Sequence, residues 1–227
     1  MIKRLQFVSA AFLLCASLAT LAHAQMPGMG GLDFLKKNAI SSIFHPVVGS
    51  GAAYQSLDSS GAATHDMEML VVGKESVGAQ EAFWLEIGFS AKQGPMYSKV
   101  LITKDDFQMH KIVFQMTGMP AMEMPFNPNS TPAQQMRDEM SKWSQVGNES
   151  VTVPAGTFSC VHWKKSDGKG DLWASDKVSP IGMVKSVEPN GTMVLVKVIT
   201  DAKDHITGPV QPFNPQALGQ MMQNQPH

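Results

Sequence analysis

The chain has 227 residues, of which 43% are hydrophobic, and its 18 basic and 19 acidic residues give a net charge of −1 at pH 7. This length and apolar content are enough for one folded core. The even charge balance excludes the strongly basic surface of a nucleic-acid-binding protein, so no nucleic-acid partner is predicted.

The first residues have the pattern of a secretory signal peptide. Lys3 and Arg4 precede the apolar stretch 7–21, and Ala-His-Ala at 22–24 provides small residues at a cleavage site. Removing residues 1–24 from the 227 leaves 203, and Cys160 is then the single cysteine, so no internal disulfide is expected. We predict export to the periplasm or the exterior of a bacterium. No later stretch has the ~20 apolar residues of a membrane helix, so no transmembrane segment is predicted.

Residues 25–45 are predicted to be a lead-in that ends in a short helix, "LDFLKKNAISSIF". From residue 46 the hydrophobic period changes from that of a helix to that of a strand. The stretch "AFWLEIGFS" is the clearest case, because Phe83, Leu85, Ile87 and Phe89 alternate to one face of the strand. Similar stretches, separated by Gly, Pro, Asn and Asp, predict an antiparallel sheet of about 9–11 strands over residues 46–207.

The stretch "VTVPAGTFSCVHW", residues 151–163, predicts a hairpin. Pro154 presets a turn, and Gly156 can adopt the left-handed backbone conformation that follows it. Cys160 and His162 share one strand face and offer two metal ligands, which is half a site. We therefore favour the structural interpretation and predict no metal at this pair.

One helix is predicted inside the sheet domain, over residues 132–145. Met136, Met140 and Trp143 lie on one helical stripe that needs an apolar surface to cover it. Several strands are apolar on both faces, so the sheet also needs cover. The predicted fold class is mainly β with few helices (α+β): a strongly curved antiparallel half-barrel covered by one or two helices. The Pro- and Gln-rich tail, residues 208–227, is predicted to be disordered.

"VTVPAGTF", "DLWASDKVSPIGMVKS" and a final long strand, all within residues 151–200, resemble a pattern of exported bacterial proteins. The pattern is that of the lipoprotein-localisation-factor-like (LolA/LolB-like) half-barrel superfamily, nearest to its members of unknown function. The resemblance implies an unclosed, bent sheet with helices over its concave face. It also implies a hollow that binds acyl chains or an apolar peptide segment, and it brings no catalytic residues.

The sequence contains no motif of a known catalytic site and none that implies a cofactor. We predict an exported, non-enzymatic protein that binds a hydrophobic small molecule, lipid or apolar peptide in the concave face of its sheet. The predicted lining residues are Phe83, Leu85, Ile87 and Phe89, with Met136, Met140 and Trp143 on the covering helix.

Methionine is unusually frequent, with 17 in the chain, and four lie in "MTGMPAMEM": Met116, Met119, Met122 and Met124. Flexible thioethers suit an adaptable apolar lining, but they are also ligands for Cu(I). A periplasmic Met-rich copper(I)-binding protein is therefore an alternative function. A second alternative is a structural envelope protein whose hollow is filled by its own side chains. The sequence identifies no protein partner.

Overall fold

The structure, a computed structural model, describes residues 43–91, 94–105, 107–127, 142–189 and 191–214. Across these residues the chain is mainly β, with almost no helix, and none of its helical residues forms a helix long and apolar enough to span a membrane. The twelve strands in this part of the chain are β1 (Gly51–Leu57), β2 (Ala63–Val77), β3 (Gln80–Ala91), β4 (Gly94–Thr103), β5 (Met109–Met116), β6 (Ala121–Met124), β7 (Trp143–Val153), β8 (Gly156–Lys165), β9 (Asp171–Ala174), β10 (Met183–Glu188), β11 (Gly191–Ile199) and β12 (Val210–Pro212).

All twelve strands belong to one curved, unclosed sheet with the order β12-β6-β5-β4-β3-β2-β1-β11-β10-β9-β8-β7. Strands β1–β6 form one antiparallel meander and β7–β11 a second, and the two meanders are joined by the pairing of β1 with β11. The short β12 pairs in parallel with β6. The predicted curved, mainly antiparallel sheet is confirmed.

The predicted hairpin at residues 151–163 is confirmed, but the end of the helix predicted before it in the chain is not. β7 and β8 pair antiparallel with Val153 opposite Gly156, and Gly156 has a φ of 133°. Residues 143–145 open β7, where Trp143 lies opposite Lys165, so the predicted helix 132–145 is wrong in its last turn. Pairing with β8 overrides the helical spacing there. The rest of that prediction, up to residue 141, lies outside the described residues, as do the predicted signal peptide and residues 25–42.

One face of the sheet, here called the inner face, is apolar across five or six strands. It carries Phe83, Leu85, Ile87 and Phe89 of β3, and the strand register extends it in rows of directly opposed residues. The rim row is Tyr54, Met67, Phe89, Met96 and Met116; the middle row is Ala52, Met69, Ile87, Ser98, Phe114 and Met122; the deep row is Val71, Leu85, Val100, Ile112 and Met124.

Coil, rather than helix, covers the described part of the inner face. Two cover segments, residues 43–50 and 175–182, place Phe44, Val178 and Ile181 against its core. The His45 N–H donates to the Pro180 carbonyl over 2.7 Å and ties the segments together. The predicted cover of one or two helices is therefore not observed in the described part of the chain, because coil that satisfies its own polar groups buries apolar surface equally well.

The opposite face, here called the outer face, is also partly covered by coil. Ile206 is buried there against Val113 and Ala121, with Trp84 and Tyr97 packed alongside.

The region predicted as a disordered tail contributes β12, whose neighbour Phe213 packs against the inner-face core. This corrects the prediction for residues 208–214; residues 215–227 lie outside the described residues.

Gly182 is expected to be essential to the cover. Its φ is +67°, and a Cβ on it would lie 3.0 Å from the Ser175 carbonyl oxygen. Gly168 has a similar φ of +71° with nothing within 4 Å of such a Cβ, so it is a matched control. We expect Gly168→Ala to cost about 1 kcal/mol of unfolding free energy and Gly182→Ala about 2–3 kcal/mol, measured by urea unfolding. Equal losses would show that the close approach at Gly182 contributes nothing.

Candidate ligand-binding surface

The apolar inner face remains accessible at the end formed by β3, β4 and β5. Phe83, Leu85 and Ile87 are only 5–6% exposed and belong to the core, so three of the predicted lining residues are not available to a ligand. Phe89, by contrast, is partly exposed. Three further partly exposed residues lie beside it on β4 and β5, namely Met96, Phe114 and Met116. These four residues are called the rim.

A contact between the β5–β6 turn and the start of β4 holds the rim in place. The Thr117 hydroxyl, in the β5–β6 turn, donates to the Pro95 carbonyl at the start of β4 over 3.0 Å. Gly94, with a φ of +105°, permits this contact, because a Cβ there would lie 2.4 Å from the Thr117 hydroxyl oxygen. The cover segment 43–50 is bonded to the deep row instead, where the Gly49 N–H donates to the Val71 carbonyl over 2.8 Å. The open end of the inner face is thus fixed by its own strands.

Ser98 places a polar atom in this apolar face. It lies between Ile87 and Phe114 in the middle row and is 2% exposed. Its hydroxyl has no hydrogen-bond partner in the described structure. A buried polar group without a partner costs roughly 1–3 kcal/mol, so a ligand atom that reached this hydroxyl would recover part of that cost.

Trp143, the one residue of the predicted helical stripe that is described, does not join the rim. Trp143 lies on β7, at the edge of the sheet remote from β3, and its ring packs on Gly170, where a Cβ would come within 2.9 Å of it. Lys165 Nζ lies 6.0 Å from the centre of the same ring. Met136 and Met140 lie outside the described residues. The covering helix predicted from the sequence is thus not supported at Trp143, because this residue pairs with Lys165 of β8 at the far edge of the sheet.

The four methionines of the copper alternative are spread along the β5–β6 hairpin. Met116 is in the rim row, Met119 is in the turn, Met122 is in the middle row and Met124 is in the deep row opposite Ile112. Met96, which sequence reasoning did not select, lies directly opposite Met116. The alternating pattern of β4 is visible in the sequence, but the residue that lies opposite Met96 depends on the register between β4 and β5.

Cys160 and His162 have structural partners. Cys160 belongs to the core, and burial raises the pKa of its thiol to about 11. His162 Nε2 lies 2.7 Å from Asp171 Oδ1 and Nδ1 lies 3.1 Å from Glu149 Oε1, while the ring stacks on Trp173. Within the described residues no three His, Cys, Asp or Glu side chains are placed to bind a metal.

On the outer face, the carboxyl of Glu86 is fully buried and anchors a coil segment. It accepts hydrogen bonds from the backbone N–H groups of His205, at 3.1 Å, and Ile206, at 3.3 Å, and lies 2.6 Å from His205 Nδ1. Lys99 adds an ion pair to Asp204 at 2.6 Å. Burial raises the pKa of the Glu86 carboxyl, and the bond to His205 offsets part of that rise.

A shallow cavity of about 460 Å³ lies beside this anchor and is lined by Asp66, Glu68, Gly88 and Tyr97, among others. Asp66 accepts a hydrogen bond from the Gln55 amide, and both carboxylates are exposed. Water therefore already solvates the charged groups of the cavity. The rim is the better candidate for a ligand-binding surface, because apolar side chains are partly exposed to water there.

No protein-family model and no curated protein matches the sequence. Two solved structures are similar to it: a candidate lipoprotein from Parabacteroides distasonis, with 14% identity over 69% of this chain and 97% of that chain and a TM-score of 0.39, and a candidate exported protein with a YmcC-like fold from Bacteroides fragilis, with 15% identity, 69% and 98% coverage and a TM-score of 0.38. Because both TM-scores are below 0.5, neither structure shows the function of this chain. The resemblance to the lipoprotein-localisation-factor-like superfamily stays a prediction.

The buried thiol of Cys160 is expected to be unreactive in the folded protein. It is 2% exposed, and with a pKa of about 11 it holds little thiolate at pH 8. In the protein without residues 1–24, we expect iodoacetamide labelling to be about 100-fold slower in buffer than in urea. Mass spectrometry of the alkylated product measures both rates. Similar rates in the two conditions would contradict burial of β8 in the core.

Glu86 is expected to make stability depend on pH. Since its folded pKa is raised, its favourable contribution is complete below the unfolded pKa of about 4.3 and is lost as the pH rises through the folded pKa. Glu86→Gln keeps an acceptor without the charge, so its stability relative to wild type should improve between pH 4 and 7 in urea unfolding. Glu86→Ala should cost about 1–3 kcal/mol, because buried N–H groups lose their acceptor.

Glu81→Gln is the control for this effect. Glu81 is an exposed carboxylate on the same strand, and its hydrogen bond with Lys74 lowers its pKa. The stability of Glu81→Gln relative to wild type should therefore fall, rather than rise, as the pH increases over the same range. The same pH trend in both variants would contradict the burial of Glu86.

Proposed function

We propose that the protein is exported, is not an enzyme, and binds one acyl chain of a fatty acid or lipid at the rim. The observation that carries the proposal is the change of exposure along the inner face. Leu85 and Ile87 are buried, but Phe89 and the methionines opposite and beyond it are partly exposed. An accessible apolar surface that continues a buried core is a site where a ligand can replace water.

The rim is large enough to cover part of one acyl chain. It spans β3 to β5, which is roughly 10 Å for three strands about 4.8 Å apart. Covering apolar surface of this kind stabilises a complex by about 25 cal/mol per Å². Met96 and Met116 are unbranched and flexible, so they can adjust to a chain that bends. The Ser98 hydroxyl, one row below, offers a hydrogen bond to a carboxyl or ester oxygen.

The proposal of export rests on the signal-peptide pattern of residues 1–24.

The alternative of a structural envelope protein is supported by the buried middle and deep rows, which are filled by the protein's own side chains. The two functions differ in one respect that can be measured. A structural protein takes up no acyl chain, whereas a binding protein takes up one in a saturable manner.

The test is binding of 1-N-phenylnaphthylamine to delipidated protein without residues 1–24, followed by displacement with oleate. We expect saturable uptake with one site per chain. Met96→Gln and Met116→Gln keep the side-chain length but add polar atoms, so each should weaken oleate binding about tenfold, equivalent to about 1.4 kcal/mol.

Met109→Gln is the matched control, because Met109 is partly exposed on the same inner face at its other end, opposite Ile102. It should change oleate affinity less than twofold. Uptake that is absent, or that Met109→Gln weakens as much as Met96→Gln, would contradict binding at the rim. Uptake of an apolar peptide but not of oleate would contradict the acyl chain as ligand.

A further inference from the structure

We propose that Met96, Met116, Met119 and Met122 form a binding site for a soft monovalent cation, Cu(I) or Ag(I), at the rim. This site goes beyond acyl-chain binding, because its ligands are thioether sulfur atoms and not apolar surface. It also differs from the set that the sequence favours, since the structure adds Met96 and removes Met124.

Strand register brings the first two methionines together. Met96 on β4 and Met116 on β5 are directly opposite each other. Opposed residues of antiparallel strands point to the same face, with β-carbons about 5 Å apart. Each methionine side chain has three rotatable bonds, so two sulfur atoms that start from these positions can approach one ion from both sides.

The β5–β6 hairpin supplies the other two. Met122 lies opposite Phe114, two residues before Met116 on the same strand face, so Met116 and Met122 are diagonal neighbours on that face. Met119 lies in the turn between them, and its backbone N–H donates to the Met116 carbonyl over 3.0 Å. The four residues thus come from one short hairpin and the strand beside it.

The surroundings favour a soft ion. The rim, middle and deep rows contain no carboxylate and no imidazole, so Mg²⁺, Ca²⁺ and Zn²⁺ find few of the ligands that they prefer on this face. Thioethers select Cu(I) and similar ions. Met122 is 4% exposed, whereas Met96, Met116 and Met119 are partly exposed, so an ion can enter from solvent and reach a drier position.

Met124 is outside the site. It lies opposite Ile112 in the deep row and packs with Phe44, Val100 and Ile102 in the buried core. Binding an ion there would require moving core side chains. Met124 is therefore a suitable control for the loss of a thioether without the loss of a ligand.

The experiment is a titration of the folded protein, without residues 1–24, with Ag(I) as silver nitrate in chloride-free buffer. Calorimetry measures affinity, and the 13C-methyl resonances of methionine report which thioethers respond. We expect the methyl resonances of Met96, Met116, Met119 and Met122 to shift together. Met96→Leu with Met116→Leu keeps nearly the same side-chain volume and should lower the affinity at least tenfold.

Met124→Leu and Met109→Leu should each leave Ag(I) affinity within twofold of wild type. Unchanged affinity in the Met96→Leu, Met116→Leu protein would overturn the proposal, and so would equal losses in the controls. If the double variant fails to fold by circular dichroism, the single variant Met96→Leu decides by the same criterion. Leucine keeps the apolar surface, so loss of Ag(I) binding with oleate binding retained separates this site from the acyl-chain proposal.

Discussion

The pairing of β1 with β11 is the constraint on which the rest of the structure depends. It joins the two antiparallel meanders into one sheet, with Gly51 opposite Ile199 and Leu57 opposite Thr192. Tyr54, in the middle of β1, is 1% exposed, and its hydroxyl donates to the Met183 carbonyl of β10 over 3.1 Å. One buried side chain thus adds a bond across β11 to the backbone ladder. The inner face is continuous because this junction is fixed.

A sheet that is apolar on both faces must be covered on both, and this protein does so with coil held by a few specific bonds. On the inner face the two cover segments meet at His45 and Pro180, and the segment 43–50 is also bonded to Val71 of the deep row. On the outer face Glu86 holds residues 205 and 206. Tyr54 and Met67 of the rim row are buried in the same core cluster as Val178 of the cover, whereas Phe89, Met96 and Met116 are partly exposed. The accessible part of the row therefore lies on β3, β4 and β5.

Much of the sheet could be predicted from local pattern, because alternation and turn residues are visible in short stretches such as "AFWLEIGFS" and "VTVPAGTF". The failures are at contacts between distant residues. Glu86 looks like a solvent-facing residue between Leu85 and Ile87, yet it is buried by His205, 119 residues away. Trp143 fits a helical stripe in the sequence, but in the structure it belongs to β7 and pairs with β8. The opposition of Met96 and Met116 needs a register that no local pattern gives.

The methionines of the rim combine two chemistries in one set of side chains. Their methylene and methyl groups extend the apolar face, while their sulfur atoms can coordinate a soft ion, and leucine would offer only the first. An acyl chain lying across Met96 and Met116 would also shield both sulfur atoms from solvent. An ion and an acyl chain that both bound at the rim would therefore compete for the same side chains. Occupancy by one would lower the apparent affinity for the other, since each would bind only the form that the other leaves open.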